Sequence, residues 1–251
     1  MNDFLLIAAG GMLGGAMNAI AGGGSFVTLP ALVAAGVPAL NANATSTVAL
    51  VPSALASAFA YRRDFEGFEG VKLSVMAIIS VIGGAIGAVL LLHTSQSVFD
   101  KMFPFLLLFG VLVFAFGRKL GEELRKRMTI QPHSLPAVQF ALGIYGGYFG
   151  GAVGVMMLAA WSVLTAAPIN SMQATRHVLN ASMNATASLL FIFGGLIYWK
   201  QMAVLLIAAT IGGYFGGRFG RRLDPAHARI AISCLNAAIV VVVFWRQFGS
   251  P

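Results

Sequence analysis

Long stretches without a charged residue dominate this sequence. Residues 4–61 and 134–175 contain no Asp, Glu, Lys, Arg or His, and four shorter runs follow the same rule. A helix needs ~20 apolar residues to cross the hydrocarbon core of a bilayer, and only helices or closed barrels satisfy their backbone in lipid. Because the runs are continuous rather than alternating, they predict helices. The chain is therefore predicted to be an all-α polytopic membrane protein.

The charge content supports this prediction and excludes other classes of protein. Only 10% of the residues are charged, whereas a soluble domain has about 25%. The formal net charge of +8 fits basic loops that fix orientation in a membrane. Binding of nucleic acid is not predicted, because no soluble element carries a basic face. The lone Cys234 can form no internal disulfide, no metal-ligand spacing is present, and no cofactor is predicted.

The hydrophobic segments fall into two sets of five. A polar linker at 118–133 separates an N-terminal repeat at 1–117 from a C-terminal repeat at 134–251. The segments are predicted at residues 4–21, 25–37, 42–62, 71–93, 98–117, 136–150, 154–167, 174–198, 201–217 and 228–246.

Matching glycines indicate that the second set duplicates the first. Gly11 and Gly15 match Gly143 and Gly147 at a spacing of 132 residues. Later in each half the spacing is 129 residues, with three glycines in each set: Gly83, Gly84, Gly87 and Gly212, Gly213, Gly216. Small residues let membrane helices approach closely, so some matches could arise without duplication. Their common order across both halves favours a duplication.

The loop charges predict how the two halves are oriented. If the linker is cytoplasmic and each segment reverses direction, the loops at 62–72 and 218–229 also lie inside. Most of the Lys and Arg residues then lie on the cytoplasmic side, as expected. Five segments in each half make the halves inverted with respect to each other, which is a common transporter plan. The segments 25–37 and 154–167 are short for a full crossing.

Two glycine-rich interruptions are the strongest indication of a binding site. Three consecutive glycines, Gly22, Gly23 and Gly24, precede Ser25, and the second half has Gly150, Gly151 and Gly154. Each glycine disfavours a helix by roughly 1 kcal/mol relative to Ala, and loose backbone at membrane depth must be buried or line a wet cavity. A helix that restarts there presents free N–H groups, which suit an anion. The alternative is a tight turn that only permits close packing.

Polar side chains surround these interruptions. Their amide and hydroxyl groups can hydrogen-bond an oxyanion, although each could instead cap a helix or bond a neighbouring helix. The predicted binding residues from this set are Asn18, Asn43, Thr45, Ser46, Thr175, Asn180 and Asn184.

Arg176 is the most informative charge in the sequence. It follows the long uncharged run at 134–175, and a charge at membrane depth is expensive and usually functional. It could attract an anion bidentately, or it could extend to the headgroups at the interface. His177 could carry a proton or pack as a neutral side chain. The acidic residues all fall near loops or ends, which argues against a site for cations.

These motifs resemble the sulfite exporter TauE/SafE family. The residues that carry the resemblance are 22–30, 42–46 and 143–159. The family's Asn-Ala-x-Lys-Asn pattern is occupied here by residues 173–177, with Arg176 in place of Lys, while Gln173 and His177 replace the two Asn residues. The resemblance implies a permease for sulfite, sulfonates or related small anions.

The functional hypothesis is a secondary carrier for small anions in the bacterial inner membrane. An anion-selective channel is the alternative, because it would use the same dipoles but stay open. An enzyme is not predicted, since no Ser/His/Asp set and no paired carboxylates are present. The expected partners are the lipid bilayer and a small anion. The sequence does not predict the oligomeric state, and it is compatible with a homodimer.

Overall fold

Ten α-helices form almost all of the described protein. The structure is a computed structural model that describes residues 3–21, 23–60, 71–127, 134–165, 167, 169–220 and 225–248. The helices are α1 (Asp3–Ala21), α2 (Ser25–Ala34), α3 (Ala39–Ala60), α4 (Leu73–Leu92), α5 (Gln96–Arg127), α6 (Leu135–Tyr148), α7 (Val153–Leu164), α8 (Ile169–Phe193), α9 (Trp199–Gly220) and α10 (Pro225–Phe248). The predicted ten segments and the all-α class are confirmed.

The helices have the length and the surface that a bilayer requires. By length and composition, three of them can cross a membrane over Asp3–Ile20, Leu73–Leu92 and Gln96–Gly117. Large apolar side chains such as Phe193 and Trp245 lie on the outside of the protein. Water would not favour so much exposed apolar surface, whereas lipid tails solvate it. The protein is therefore a polytopic membrane protein.

Helices α2 and α7 are too short to cross the bilayer alone. They have 10 and 12 residues, which correspond to about 15 and 18 Å at the rise of an α-helix. The hydrocarbon core is ~30 Å thick. The prediction that each glycine interruption places a helix start inside the membrane stays a prediction.

Helices of each half of the chain pack against helices of the other half. Helix α9 of the second half packs along α1 and α3 of the first, and α4 of the first half packs along α6 and α8 of the second. Glycines permit both contacts at backbone distance: a Cβ on Gly147 would collide with the backbone of Gly84, and a Cβ on Gly15 with that of Ala209. Eight of the helices form two bundles, bundle 1 (α1, α2, α3 and α9) and bundle 2 (α4, α6, α7 and α8), which meet where α3 packs on α8. The other two helices lie outside both bundles: α5 packs against α7, α10 and α3, and α10 packs against α5 and α2.

Helices α3 and α8 run in opposite directions at this junction. Asn41, near the start of α3, donates from Nδ2 to the carbonyl of Leu196, just beyond the end of α8, at 2.9 Å. The N–H of Tyr198 donates to Thr45 Oγ1 at 3.1 Å. The start of α3 thus lies beside the end of α8, which is the arrangement that an inverted duplication predicts. The duplication itself stays a prediction.

The first part of the predicted linker is helical. Helix α5 continues to Arg127 and has 32 residues, or about 48 Å, so it extends beyond the bilayer. Residues 118–127 are mostly Lys, Arg, Glu and Leu, which favour helices, and they contain no stop signal apart from Gly121. Residues 128–133 lie outside the described part of the chain.

The contact between α1 and α9 gives a test with two adjacent glycines. A Cβ on Gly212 would collide with the backbone of Met12, whereas a Cβ on Gly213 would meet its nearest atom at an ordinary 3.6 Å. Gly212→Ala is expected to destabilise the protein by about 2 kcal/mol, because the helices must separate. Gly213→Ala is expected to be neutral or stabilising by up to ~1 kcal/mol. Thermal unfolding of both variants in detergent measures this, and equal stabilities would contradict the contact.

Candidate functional site

A polar cavity lies at the junction of the two bundles. The cavity volume is about 30 Å³, and the cavity is partly open to solvent. Bundle 1 supplies residues from α1, α2 and α3, and bundle 2 supplies the second glycine interruption and α8. The lining residues are Asn18, Ser25, Thr47, Leu50, Ala54, Gly150, Asn180 and Asn184.

Five of the predicted binding residues line this cavity, namely Asn18, Ser25, Gly150, Asn180 and Asn184. Thr47, Leu50 and Ala54 were not predicted. They recur every three to four residues along α3, so they share one helix face. Asn43 begins the same face one turn earlier, and this spacing is the signal that could have identified them.

The first interruption brings the start of α2 to the cavity. Gly23 and Gly24 are buried, and Ser25 is the first residue of α2, so the positive end of the helix dipole lies at the cavity wall. Thr28 fixes this helix start: its hydroxyl donates to the carbonyl of Gly24 at 3.2 Å and lies 2.6 Å from Ser46 Oγ. Ser46 therefore fixes α2 against α3 and is not among the lining residues. Gly22 lies outside the described residues.

The second interruption places the start of α7 at the same junction. Gly150 has a φ of +72° and Ala152 a φ of +60°, a left-handed conformation that costs a residue with a side chain roughly 1–2 kcal/mol. These two residues reverse the chain between α6 and α7. Asn43 holds the reversal in place, because its Nδ2 donates to the carbonyl of Tyr148 at 2.8 Å. This bond links bundle 1 to bundle 2.

Arg176 lies against the first turn of α7. It is only 5% exposed, and a Cβ on Gly154 would lie 3.2 Å from its Cδ and 3.5 Å from its Nη1. This burial disfavours the alternative in which Arg176 extends to lipid headgroups. Its guanidinium group and the positive end of the α7 dipole lie side by side, an arrangement that favours a nearby anion. Gly151, in the same interruption, is also buried.

The remaining predicted residues have identifiable environments. Arg176 Nη2 donates to His177 Nε2 at 3.2 Å, so the imidazole nitrogen acts as an acceptor. Thr175 is buried, and its Oγ1 has no hydrogen-bond partner among the described residues. Thr45 accepts the N–H of Tyr198 and does not line the cavity. Among the described residues, no group of three or more His, Cys, Asp or Glu could hold a metal ion.

Comparison with known proteins identifies the family to which this chain is similar. The sulfite exporter TauE/SafE family matches residues 7–243. The probable membrane transporter protein YfcA of Escherichia coli (strain K12) is 35% identical over 218 residues, which are 84% of this chain and 77% of the relative. A probable membrane transporter protein of Haemophilus influenzae is 32% identical over 246 residues, 95% of this chain and 94% of the relative. No solved structure matches the chain.

The helical fold and these relatives define the protein as a polytopic membrane transporter. The resemblance predicted from the glycine motifs is confirmed. The chain belongs to the sulfite exporter TauE/SafE family.

Proposed function

We propose that this protein is a secondary transporter of small anions in the bacterial inner membrane, with sulfite, sulfonates or related sulfur-containing anions as substrates. The observation that carries the proposal is the cavity between the two bundles, whose wall contains Ser25, just after the first glycine interruption, and Gly150 of the second. No catalytic step is proposed.

The chemistry of the cavity favours an anion. Ser25 brings the dipole of α2 to its wall, and Gly150 belongs to the interruption from which α7 starts. Helix N-termini attract anions through their N–H groups and their partial positive charge. Arg176 adds a full positive charge one helical turn from the lining residue Asn180. Since no acidic side chain is among the lining residues, a cation would find no counter-charge in this wall.

The packing of the helices suggests which parts move. Because α9 packs against α1 and α3 and α4 packs against α6 and α8, the proposed moving units are bundle 1 and bundle 2 rather than the two halves of the sequence. We propose that these bundles rock against each other along α3 and α8. Since the cavity lies on this junction, such a motion would expose it to one side of the membrane and then to the other.

Saturable exchange in liposomes tests this function. Purified protein in liposomes is expected to take up radiolabelled sulfite with a rate that saturates, and unlabelled sulfite inside is expected to accelerate the uptake several-fold. A carrier shows this acceleration because it returns faster when loaded. Protein-free liposomes are the control. Flux without saturation or acceleration would favour an anion channel, and no flux of sulfite or of any sulfonate would refute the proposal.

A further inference from the structure

Two amide side chains on α8 form a hydrogen-bonded pair in the cavity wall. Asn180 and Asn184 are one turn apart and therefore lie on the same face of the helix. Asn184 Nδ2 donates to Asn180 Oδ1 at 3.1 Å, and both residues line the cavity. The pair therefore determines part of what an occupant can bond to.

The pair always leaves at least one acceptor and one donor for an occupant. An Asn side chain has a carbonyl oxygen with two lone pairs and an NH₂ group with two N–H donors, and the bond between the two side chains uses one lone pair and one N–H, so both acceptors and donors remain. Asn184 Oδ1 is buried and has no hydrogen-bond partner among the described residues, and the NH₂ group of Asn180 remains as a donor. Exchanging the oxygen and nitrogen positions of both amides only transfers these two roles between the residues.

Other groups in the wall add acceptors near the same place. A Cβ on Gly150 would lie 3.9 Å from Asn184 Oδ1 and 3.7 Å from Thr47 Oγ1. The Thr47 hydroxyl already donates to the carbonyl of Asn43 at 2.9 Å, so its oxygen can only accept from an occupant. Asn18 Nδ2 donates to Ser53 Oγ at 3.1 Å, which leaves the Asn18 carbonyl oxygen as a further acceptor and its second N–H as a donor.

An unpaired acceptor in this wall distinguishes between anions. A buried oxygen without a donor carries its desolvation penalty, and an occupant that supplies a donor removes that penalty. An anion that has only acceptor oxygens can bond the amide N–H groups, but it leaves Asn184 Oδ1 unpaired. Sites with buried polar groups discriminate strongly against ligands that leave those groups unpaired.

We propose that the Asn180–Asn184 pair makes the site select anions that carry a hydrogen-bond donor of their own. This inference rests on the proposed anion transport. Such anions are singly protonated oxyanions and sulfonates with a hydroxyl or amino group. Anions with acceptor atoms only are the disfavoured class. The dipole of α2 attracts the oxyanion end, and the amide pair binds the donor. Arg176 and the start of α7 are not among the lining residues, so in this structure they add positive potential without direct contact.

Two anions of equal charge and nearly equal size test the proposal. Sulfamate and methanesulfonate share the SO₃⁻ group, and sulfamate carries an NH₂ group where methanesulfonate carries a CH₃ group. Sulfamate is expected to inhibit sulfite exchange by the wild-type protein in liposomes at about tenfold lower concentration than methanesulfonate does. A tenfold difference is the effect of about one hydrogen bond. In Asn184→Leu the ratio is expected to fall to about one.

A matched variant on the same helix controls for general damage. The Thr186 hydroxyl donates to the carbonyl of Ser182 at 3.0 Å and does not line the cavity, so Thr186→Val is expected to keep the tenfold ratio. Three results would overturn the proposed selection while leaving anion transport intact. They are equal inhibition of the wild type by both anions, inhibition by neither anion while sulfite still exchanges, and an unchanged ratio in Asn184→Leu. Failure of the wild type to exchange any anion would instead refute the proposed function.

Discussion

A disulfide between residues 47 and 150 is expected to stop transport completely, and a reductant is expected to restore it. A Cβ on Gly150 would lie 3.7 Å from Thr47 Oγ1, which is within reach of a disulfide between Thr47→Cys and Gly150→Cys. Residue 47 belongs to bundle 1 and residue 150 to the interruption in bundle 2. If the bundles must rock to expose the cavity alternately, a covalent link between them arrests the cycle. The exposed Cys234 is first changed to Ser.

A second disulfide within one bundle is the matched control. Thr28 Oγ1 and Ser46 Oγ lie 2.6 Å apart, and both residues belong to bundle 1, so Thr28→Cys with Ser46→Cys can also form a bond. This link is expected to leave exchange of labelled sulfite intact, because the bundle moves as one body. Gly150→Cys places a side chain at a φ of +72°, which strains the backbone. Exchange of sulfite by the reduced form of the same variant measures the effect of this strain alone. Full exchange in the oxidised 47–150 variant would contradict motion between the bundles.

The helices were predictable because charge and glycine mark their ends. The predicted segment 71–93 corresponds to Leu73–Leu92, and 25–37 corresponds to Ser25–Ala34. The errors lie where local signals conflict. Helix α8 begins at Ile169, five residues before the predicted start, and ends at Phe193, because Gly194 and Gly195 follow and Gly195 adopts a φ of +70°. Glycine in this conformation terminates a helix.

The site was only partly predictable because contacts between the bundles depend on packing. The polar residues of α3 have the same composition whether they face the cavity or another helix. Asn43 bonds the carbonyl of Tyr148 and Thr45 accepts from Tyr198, and both partners lie more than 100 residues away along the chain. A sequence does not reveal which of these groups a distant loop will occupy. The pairing of α1 with α9 and of α4 with α6 could not be predicted for the same reason.

Neutralising Arg176 is expected to weaken anion binding by about 30-fold. A hydrogen bond to a charged group contributes roughly 1.5–3 kcal/mol, and about 2 kcal/mol corresponds to this change in the dissociation constant. Arg176 is 5% exposed and lies against the start of α7, where solvent screens its charge little. Binding of radiolabelled sulfite to purified Arg176→Gln, compared with the wild type, measures the effect.

Two further variants separate the charge of Arg176 from its shape and from its effect on folding. Arg176→Lys keeps the charge but loses the planar fork that binds oxyanions bidentately, so it is expected to lie between the wild type and Arg176→Gln. Lys200→Gln removes the same charge at an exposed position at the start of α9 and is expected to bind sulfite normally. Thermal unfolding shows whether each variant is folded. If folded Arg176→Gln binds sulfite as tightly as the wild type, Arg176 does not contribute to the site, and the helix dipoles alone must attract the anion.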